Sequence, residues 1–301
     1  MGRLSVAVLI LLGLPALAPA EDAVFRSDVN LVRLIVTVKD AAGGLVTNAN
    51  RDDFSVFDNG VKQTISVFER HTEQPLSVSL LIDTSGSTGI ELRHEVDSVQ
   101  HFVTALFGEG NPDDAAALYS FDTDVTLHSS FTRRIPRLEH ELQGLKSEAG
   151  TSMYDALWLA ARDLQGRDGR HIIVIVTDGG DTTSAKDFHA ALESVQMAEA
   201  SVYPVVIIPI TNDAGRNTGG EHALTTMAQR TGGRIFLPTN GAELESAFVE
   251  LVHELRTQYL LGYYPKNVPP STNRFHTTAV KLVHPGLRAI TRTGYYGSTD
   301  R

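Results

Sequence analysis

Seven residues in the middle of the chain, His171-Ile172-Ile173-Val174-Ile175-Val176-Thr177, constrain the fold more than any others. A strand this apolar has no side to offer to water, so it belongs at the centre of a parallel sheet covered on both faces. Helical patterns flank it. Leu92, Val96, Val99, Phe102, Val103 and Leu106 recur at helical spacing, as do Met153, Leu157, Ala160, Ala161 and Leu164. Further strands are predicted over Leu76 to Asp83, Ala115 to Phe121 and Val202 to Ile208, with short ones at Val125 to His128 and Arg234 to Leu237. Helices are predicted over Ala185 to Ala200 and Ala223 to Arg230, and a last apolar face runs through Leu244, Ala247, Phe248, Leu251 and Leu255. This alternation over residues 73–256 predicts an α/β domain with a doubly wound, mainly parallel sheet.

The flanks have a different texture. Over residues 21–72 the pattern is β. A β-branched run spans Val29 to Val38, DAAGG at 40–44 is turn chemistry, and Phe54 to Asp58 alternates before the hairpin signal Asn59-Gly60. Gln63 to Phe68 is the expected returning strand. Over residues 257–301, strands are predicted at Tyr259 to Tyr264, Thr277 to Val283 and Leu287 to Thr293. Neither flank is large enough to bury a core alone. Pairing of head and tail strands into one β-sandwich, with the α/β domain inserted between them, is the economical expectation. Tyrosines 259, 263, 264, 295 and 296 are expected to pack within these strands.

Residues 1–20 read as an address. Arg3 precedes an apolar run from Val6 to Leu14, and Ala18-Pro19-Ala20 ends in a small-x-small cleavage pattern. The run falls short of the ~20 residues that span a bilayer. The expectation is a secretory signal peptide and a secreted or periplasmic mature chain with no membrane span. The 36 acidic and 26 basic side chains give a net charge of −10, which argues against a general nucleic-acid binder. Absence of cysteine excludes disulfides, thiol catalysis and iron–sulfur clusters.

Ligands of open α/β sheets bind beyond the carboxyl ends of the strands. There the sequence places Asp83-Thr84-Ser85-Gly86-Ser87, then Gly150-Thr151-Ser152, then Thr177-Asp178-Gly179-Gly180-Asp181. These loops offer carboxylates and hydroxyls with no sulfur or histidine beside them, a donor set for a hard cation such as Mg²⁺ or Mn²⁺. Taken singly each has an ordinary explanation: Asp83, Ser85 and Thr151 as helix caps, Asp178-Gly179 as a turn. Asp122-Thr123-Asp124 reads as a hairpin turn, and Asp181, Asp187 and Glu221 as helix-start acids. No Gly-x-Gly-x-x-Gly follows the first strand, and Ser85 stands where a serine hydrolase elbow or an aspartic protease loop would need glycine.

In that order, Asp83, Ser85, Ser87, Thr151 and Asp178 resemble the metal-ion-dependent adhesion site of von Willebrand factor type A domains, over roughly Leu76 to Arg256. The flanking runs DDFSVFDNG at 52–60, QYLLGYYP at 258–265 and Gly294-Tyr295-Tyr296 resemble a bacterial, acidobacterial-type group of exported proteins with this domain. The resemblance implies a Rossmann-like fold. It implies direct cation ligation by Ser85 and Ser87, a water-mediated role for Asp83, and direct or water-mediated roles for Thr151 and Asp178. It also implies a sixth ligand from an Asp or Glu carboxylate of a partner protein. Ala149 stands where many members have glycine, which bears on the loop's shape. The expected function is therefore a non-enzymatic, secreted protein-binding module. A metal-assisted hydrolase and a structural scaffold with a vestigial site are the alternatives; the first lacks a spare His or Glu at fixed spacing to act as base.

Overall fold

The computed structural model describes residues 31–71, 73–86, 89–108, 110–208, 217–271 and 273–297. The expected signal segment therefore lies outside the described residues, as does Ser87. In chain order the head contributes β1 (Val32–Lys39), β2 (Phe54–Asp58), β3 (Val61–Gln63) and β4 (Ile65–Glu69). The middle runs β5 (Leu76–Asp83), α1 (Gly89–Gly108), β6 (Ala115–Phe121), β7 (Val125–Thr132), α2 (Ile135–Gln143), α3 (Met153–Leu164) and β8 (Arg170–Thr177). It continues with α4 (Phe188–Met197), β9 (Ser201–Val206), α5 (Thr218–Thr231) and α6 (Gly241–Thr257). The tail supplies β10 (Tyr259–Tyr263), β11 (Phe275–Leu282), β12 (Arg288–Ile290) and β13 (Gly294–Tyr296).

The middle forms a five-stranded sheet in the order β7-β6-β5-β8-β9. It is parallel except at β7, which returns antiparallel to β6. Strand pleating sends alternate residues to opposite faces. Val78, Leu80, Ile82, Val174 and Val176 meet Val99, Phe102, Leu106, Phe248 and Leu251 from α1 and α6. Leu81, Ile173 and Ile175 meet Leu157, Ala160, Leu164 and Val195 from α3 and α4. All eight residues of β5 and seven of the eight in β8 are buried. Each fully buried aliphatic side chain is worth about 1.5–3 kcal/mol, so these two strands contribute heavily to the stability of the domain. Two short elements differ from expectation. Arg234 to Leu237 makes a single bridge, Val205 to Phe236, and not a strand. Helix α2 forms where none is predicted, with Pro136 in its first turn and Leu138 and Leu142 as its buried side chains.

Head and tail strands interleave in two antiparallel sheets, β12-β1-β10-β4 and β13-β11-β2-β3. β1 pairs along β10 from Val32↔Tyr263 to Val36↔Tyr259, and β2 pairs along β11 from Asp58↔Thr278 to Phe54↔Leu282. The hairpin β2–β3 turns at Asn59 and Gly60, both at positive φ (45° and 81°) as a two-residue primed turn requires. The expected returning strand splits near Thr64, and its second half crosses to the other sheet as β4. Leu34, Val36, Phe54, Val56, Tyr259, Leu261 and Tyr263 fill the space between the sheets.

Asp58 is fully buried there, accepting hydrogen bonds from Tyr263 Oη (2.9 Å) and Tyr295 Oη (2.8 Å), with His276 Nδ1 at 3.2 Å. Burial first, and the Asp58 carboxylate next, push both phenols far above their ordinary pKa of 10. Burial does the same to Tyr119 and Tyr203. The folded chain thus keeps four protons that the unfolded chain releases above about pH 10, so stability is complete below that pH and falls above it. The expected loss is up to about 1.4 kcal/mol per pH unit for each tyrosine. Urea denaturation between pH 9 and 11 checks this; a flat stability profile would contradict it.

Among the described residues, no helix is long and apolar enough to cross a membrane.

Candidate metal centre

Asp83 is the last residue of β5, the central strand, and is buried. One carboxylate oxygen accepts from the backbone N–H of Ser85 (2.9 Å) and from its hydroxyl (2.5 Å). The other accepts from Thr177 Oγ1 (2.5 Å), the last residue of the neighbouring strand β8. Asp178 follows at the exposed rim. Burial first, with a smaller contribution from the charge of Asp178, raises the Asp83 pKa to about 6 despite these hydrogen bonds. Two carboxylates that oppose one another's ionisation are the arrangement a cation relieves.

Hydrogen bonds stitch the three predicted loops into a closed ring. Gly86 N donates to Glu148 O, and Glu148 N to Thr84 O, joining the first loop to the second. Thr151 N donates to Thr182 Oγ1 (2.9 Å) and Thr182 N returns to Thr151 O (2.9 Å), joining the second to the third. Ser152 Oγ and Thr183 Oγ1 lie 2.8 Å apart and reinforce that seam. Thr177 and Asp83 close the ring. The turn between β6 and β7 braces it from outside. Asp122 accepts from Asp124 N (3.0 Å) and from Thr84 Oγ1 (3.2 Å), and its carbonyl accepts from Ser152 N (2.6 Å). Asp122 is thus a turn residue and a brace.

Of the residues singled out in the sequence, Asp83, Ser85, Thr151 and Asp178 stand on this ring. Ser152 is the N-cap position of α3 but makes no side-chain cap bond there. Asp187 caps α4, accepting from Ala190 N (2.8 Å), and Asp181 accepts from Tyr154 N at the start of α3 (3.1 Å). Thr177, Thr182 and Thr183 were not singled out. The run Thr177-Asp-Gly-Gly-Asp-Thr-Thr183 was their only signal, since hydroxyls that orient a carboxylate look like any turn residue in sequence.

The donor set is two carboxylates and neutral hydroxyls. Among the described residues, no three His, Cys, Asp or Glu side chains gather as a metal cluster. Oxygen donors of this kind suit Mg²⁺ or Mn²⁺ and do not suit zinc or copper.

Gly150 shapes the second loop. It holds φ +88°, and a Cβ there would meet Thr123 Oγ1 at 2.4 Å and Thr123 Cα at 3.1 Å. Glycine at 150 thereby takes the left-handed turn, and Ala149 does not have to. Gly150→Ala is expected to lower stability by about 2 kcal/mol. Urea denaturation checks this, and a change below 0.5 kcal/mol, roughly the surface background, would contradict it.

Residues 78–180 match the sequence profile of the von Willebrand factor type A domain. No functionally curated protein matches the chain. Among solved structures it is similar to the pilus adhesin SpaC of Lactobacillus rhamnosus GG in an open conformation, at 9% identity and TM-score 0.50, covering 83% of this chain and 48% of that one. It is also similar to the PilB minor pilin of Streptococcus sanguinis, at 15% identity and TM-score 0.49, covering 62% of each chain. A third is the vWF domain of the type V pili tip protein Mfa5 of Porphyromonas gingivalis, at 14% identity and TM-score 0.48, covering 60% of this chain and 95% of that one. The chain thus spans less than two thirds of PilB and about half of SpaC. At 9% identity the likeness to SpaC speaks to the fold alone.

Proposed function

We propose, from the von Willebrand factor type A domain that this chain carries, that it is an exported, non-enzymatic protein-binding module. Asp83, Ser85, Ser87, Thr151 and Asp178 would hold one Mg²⁺ or Mn²⁺. When bound, the cation supplies an electrophilic centre able to take an Asp or Glu carboxylate of a partner protein. The chain's own residues do the rest. Thr177 and the Ser85 backbone fix the Asp83 carboxylate, so the site does not have to order it on binding. Thr182 and Thr183 hold the backbone that presents Thr151. Asp178 sits at the rim, where a partner approaches.

The observation that carries this reading is the ring itself: a buried, pre-oriented carboxylate, with Thr151 and Asp178 on the loops bonded to it. Export rests on residues 1–20 and is part of the same proposal. Isothermal titration of the chain lacking residues 1–20 with Mg²⁺, then Mn²⁺, tests it. Saturable one-to-one binding is expected, with chelator reversing it. A folded chain that takes up neither ion would overturn the mechanism.

A further inference from the structure

A second site lies outside the ring, on the seam between the two units. Helix α4 packs against β13 there, and a cleft of about 560 Å³ opens beside them. That volume falls in the roughly 300–1,000 Å³ range of small-molecule sites. One wall is a single stripe of α4: His189, Leu192, Glu193 and Gln196 stand at helical spacing, so their side chains share one face. The facing wall is aromatic. Tyr296 and Phe275 meet at 66° with ring centroids 5.1 Å apart. Phe275 is seated on Gly294, where a Cβ would collide with its ring. Arg230, in the last turn of α5, lines the cleft as well.

The polar groups of this cleft are open and unpaired. Gln196 is 7% exposed, yet no described residue hydrogen-bonds to its amide. The amide is not sealed in protein, as the unpartnered Gln100 Nε2 is; the surface it keeps opens on the cleft. Covered amides are ordinarily paired, because leaving one without a partner is costly. Glu193 and Arg230 are exposed, and neither forms an ion pair with the other or with any described residue. The Tyr296 hydroxyl has no hydrogen-bond partner among the described residues. Burial first, then the Glu193 charge, raises its pKa, which places that carboxylate near the phenol.

These groups fit one kind of ligand. With one charge of each sign on Glu193 and Arg230, the cleft favours neither an anion nor a cation. An amide, a carboxylate, a guanidinium and a phenol together offer donors and acceptors, as vicinal hydroxyls require. The aromatic wall offers an apolar surface to C–H groups. A sugar ring presents both, hydroxyls around its rim and C–H bonds on its face.

We propose that this cleft binds a neutral sugar, seating one pyranose ring between α4 and Tyr296. The site uses no residue of the cation ring and does not depend on a bound metal. Because its walls come from both units, the sugar binds the docked, native chain and raises its melting temperature.

Saturation-transfer NMR and titration of the chain lacking residues 1–20 test this, in chelator so that the cation ring contributes nothing. The probes are glucose, galactose, mannose and N-acetylglucosamine, with glycine and a blocked dipeptide as comparison arms. Saturable one-to-one binding of at least one sugar is expected, tighter than that of either comparison compound. Glu193→Ala and Arg230→Ala, both surface changes, are each expected to weaken that sugar at least about fivefold, the loss of one hydrogen bond. Gln196→Met, which keeps the length of the side chain, is expected to do the same, with thermal unfolding showing that the variant is folded. Absence of saturable binding of all four sugars by the folded chain would overturn the proposal. So would unchanged affinity in both Glu193→Ala and Arg230→Ala, or tighter binding of glycine or the dipeptide.

Discussion

Asp83→Asn is expected to weaken Mg²⁺ binding by up to about 100-fold while leaving the metal-free chain at least as stable as the parent. The two halves of this outcome have one cause. Asparagine keeps the shape of the side chain and an acceptor oxygen but removes a charge from the first loop. Asp83 is expected to act through a coordinated water, and changing an outer partner of that kind costs about 10–100-fold in affinity; loss of its charge as well places the expected effect at the upper end of that range. Without a cation, the same carboxylate is a burden. It is buried at the end of a strand with no basic partner among its hydrogen bonds, and burial holds its pKa up near 6. Neutralising it should therefore stabilise the metal-free chain by on the order of 1 kcal/mol. A residue kept only as a cap would behave in the opposite way, since losing an N-cap costs about 1 kcal/mol. Titration calorimetry and thermal unfolding in chelator read the two halves separately. A variant that still binds Mg²⁺ with parental affinity refutes the role of Asp83, and one that is destabilised by 1 kcal/mol or more assigns it to structure.

How much of this was legible beforehand depended on whether the signal was local. β8 was legible because five consecutive apolar residues, Ile172 to Val176, admit one environment. The positions of Asp83, Thr151 and Asp178 followed, because each ends a strand or opens a helix whose period was plain. Helix α2 was not legible: two buried leucines, an uncapped Arg134 and a single Pro make a weak pattern, and only packing beneath α1 gives them a core. β13 was missed for the same reason, since Gly294-Tyr295-Tyr296 becomes a strand only by pairing with Phe275 to Thr277. The break between β3 and β4 was hidden because the residues on either side favour strand equally. In the site, Thr177 bonds to a residue 94 positions away, a separation at which sequence patterns carry no signal.

The same non-local logic makes Glu254 the residue whose loss should cost the fold most. It lies on α6, the last helix of the α/β domain, and is fully buried. Its carboxylate meets Lys39 Nζ of β1 at 3.1 Å and Arg234 Nε at 2.8 Å. One turn on, Gln258 donates to Thr37 Oγ1 (2.8 Å) and Tyr203 Oη (2.9 Å) and accepts from Arg170. α6 thus enters β10 through a buried polar knot that touches both units. Glu254→Met would leave Lys39 and Arg234 facing an apolar side chain in a largely dry seam, and breaking a buried pair from one side costs about 3–5 kcal/mol. Replacing both partners is a different matter, because an apolar pair of similar volume can match a buried ion pair. The double variant Lys39→Met, Glu254→Met should therefore recover at least about 1 kcal/mol over the single, with Arg234 retaining Glu250 at 2.8 Å. Urea denaturation of the four chains in this cycle measures the coupling directly. Simple additivity of the two single changes would show that Lys39 and Glu254 do not act as a pair. A loss confined to one of two resolved transitions would show that the knot serves one unit and does not join them.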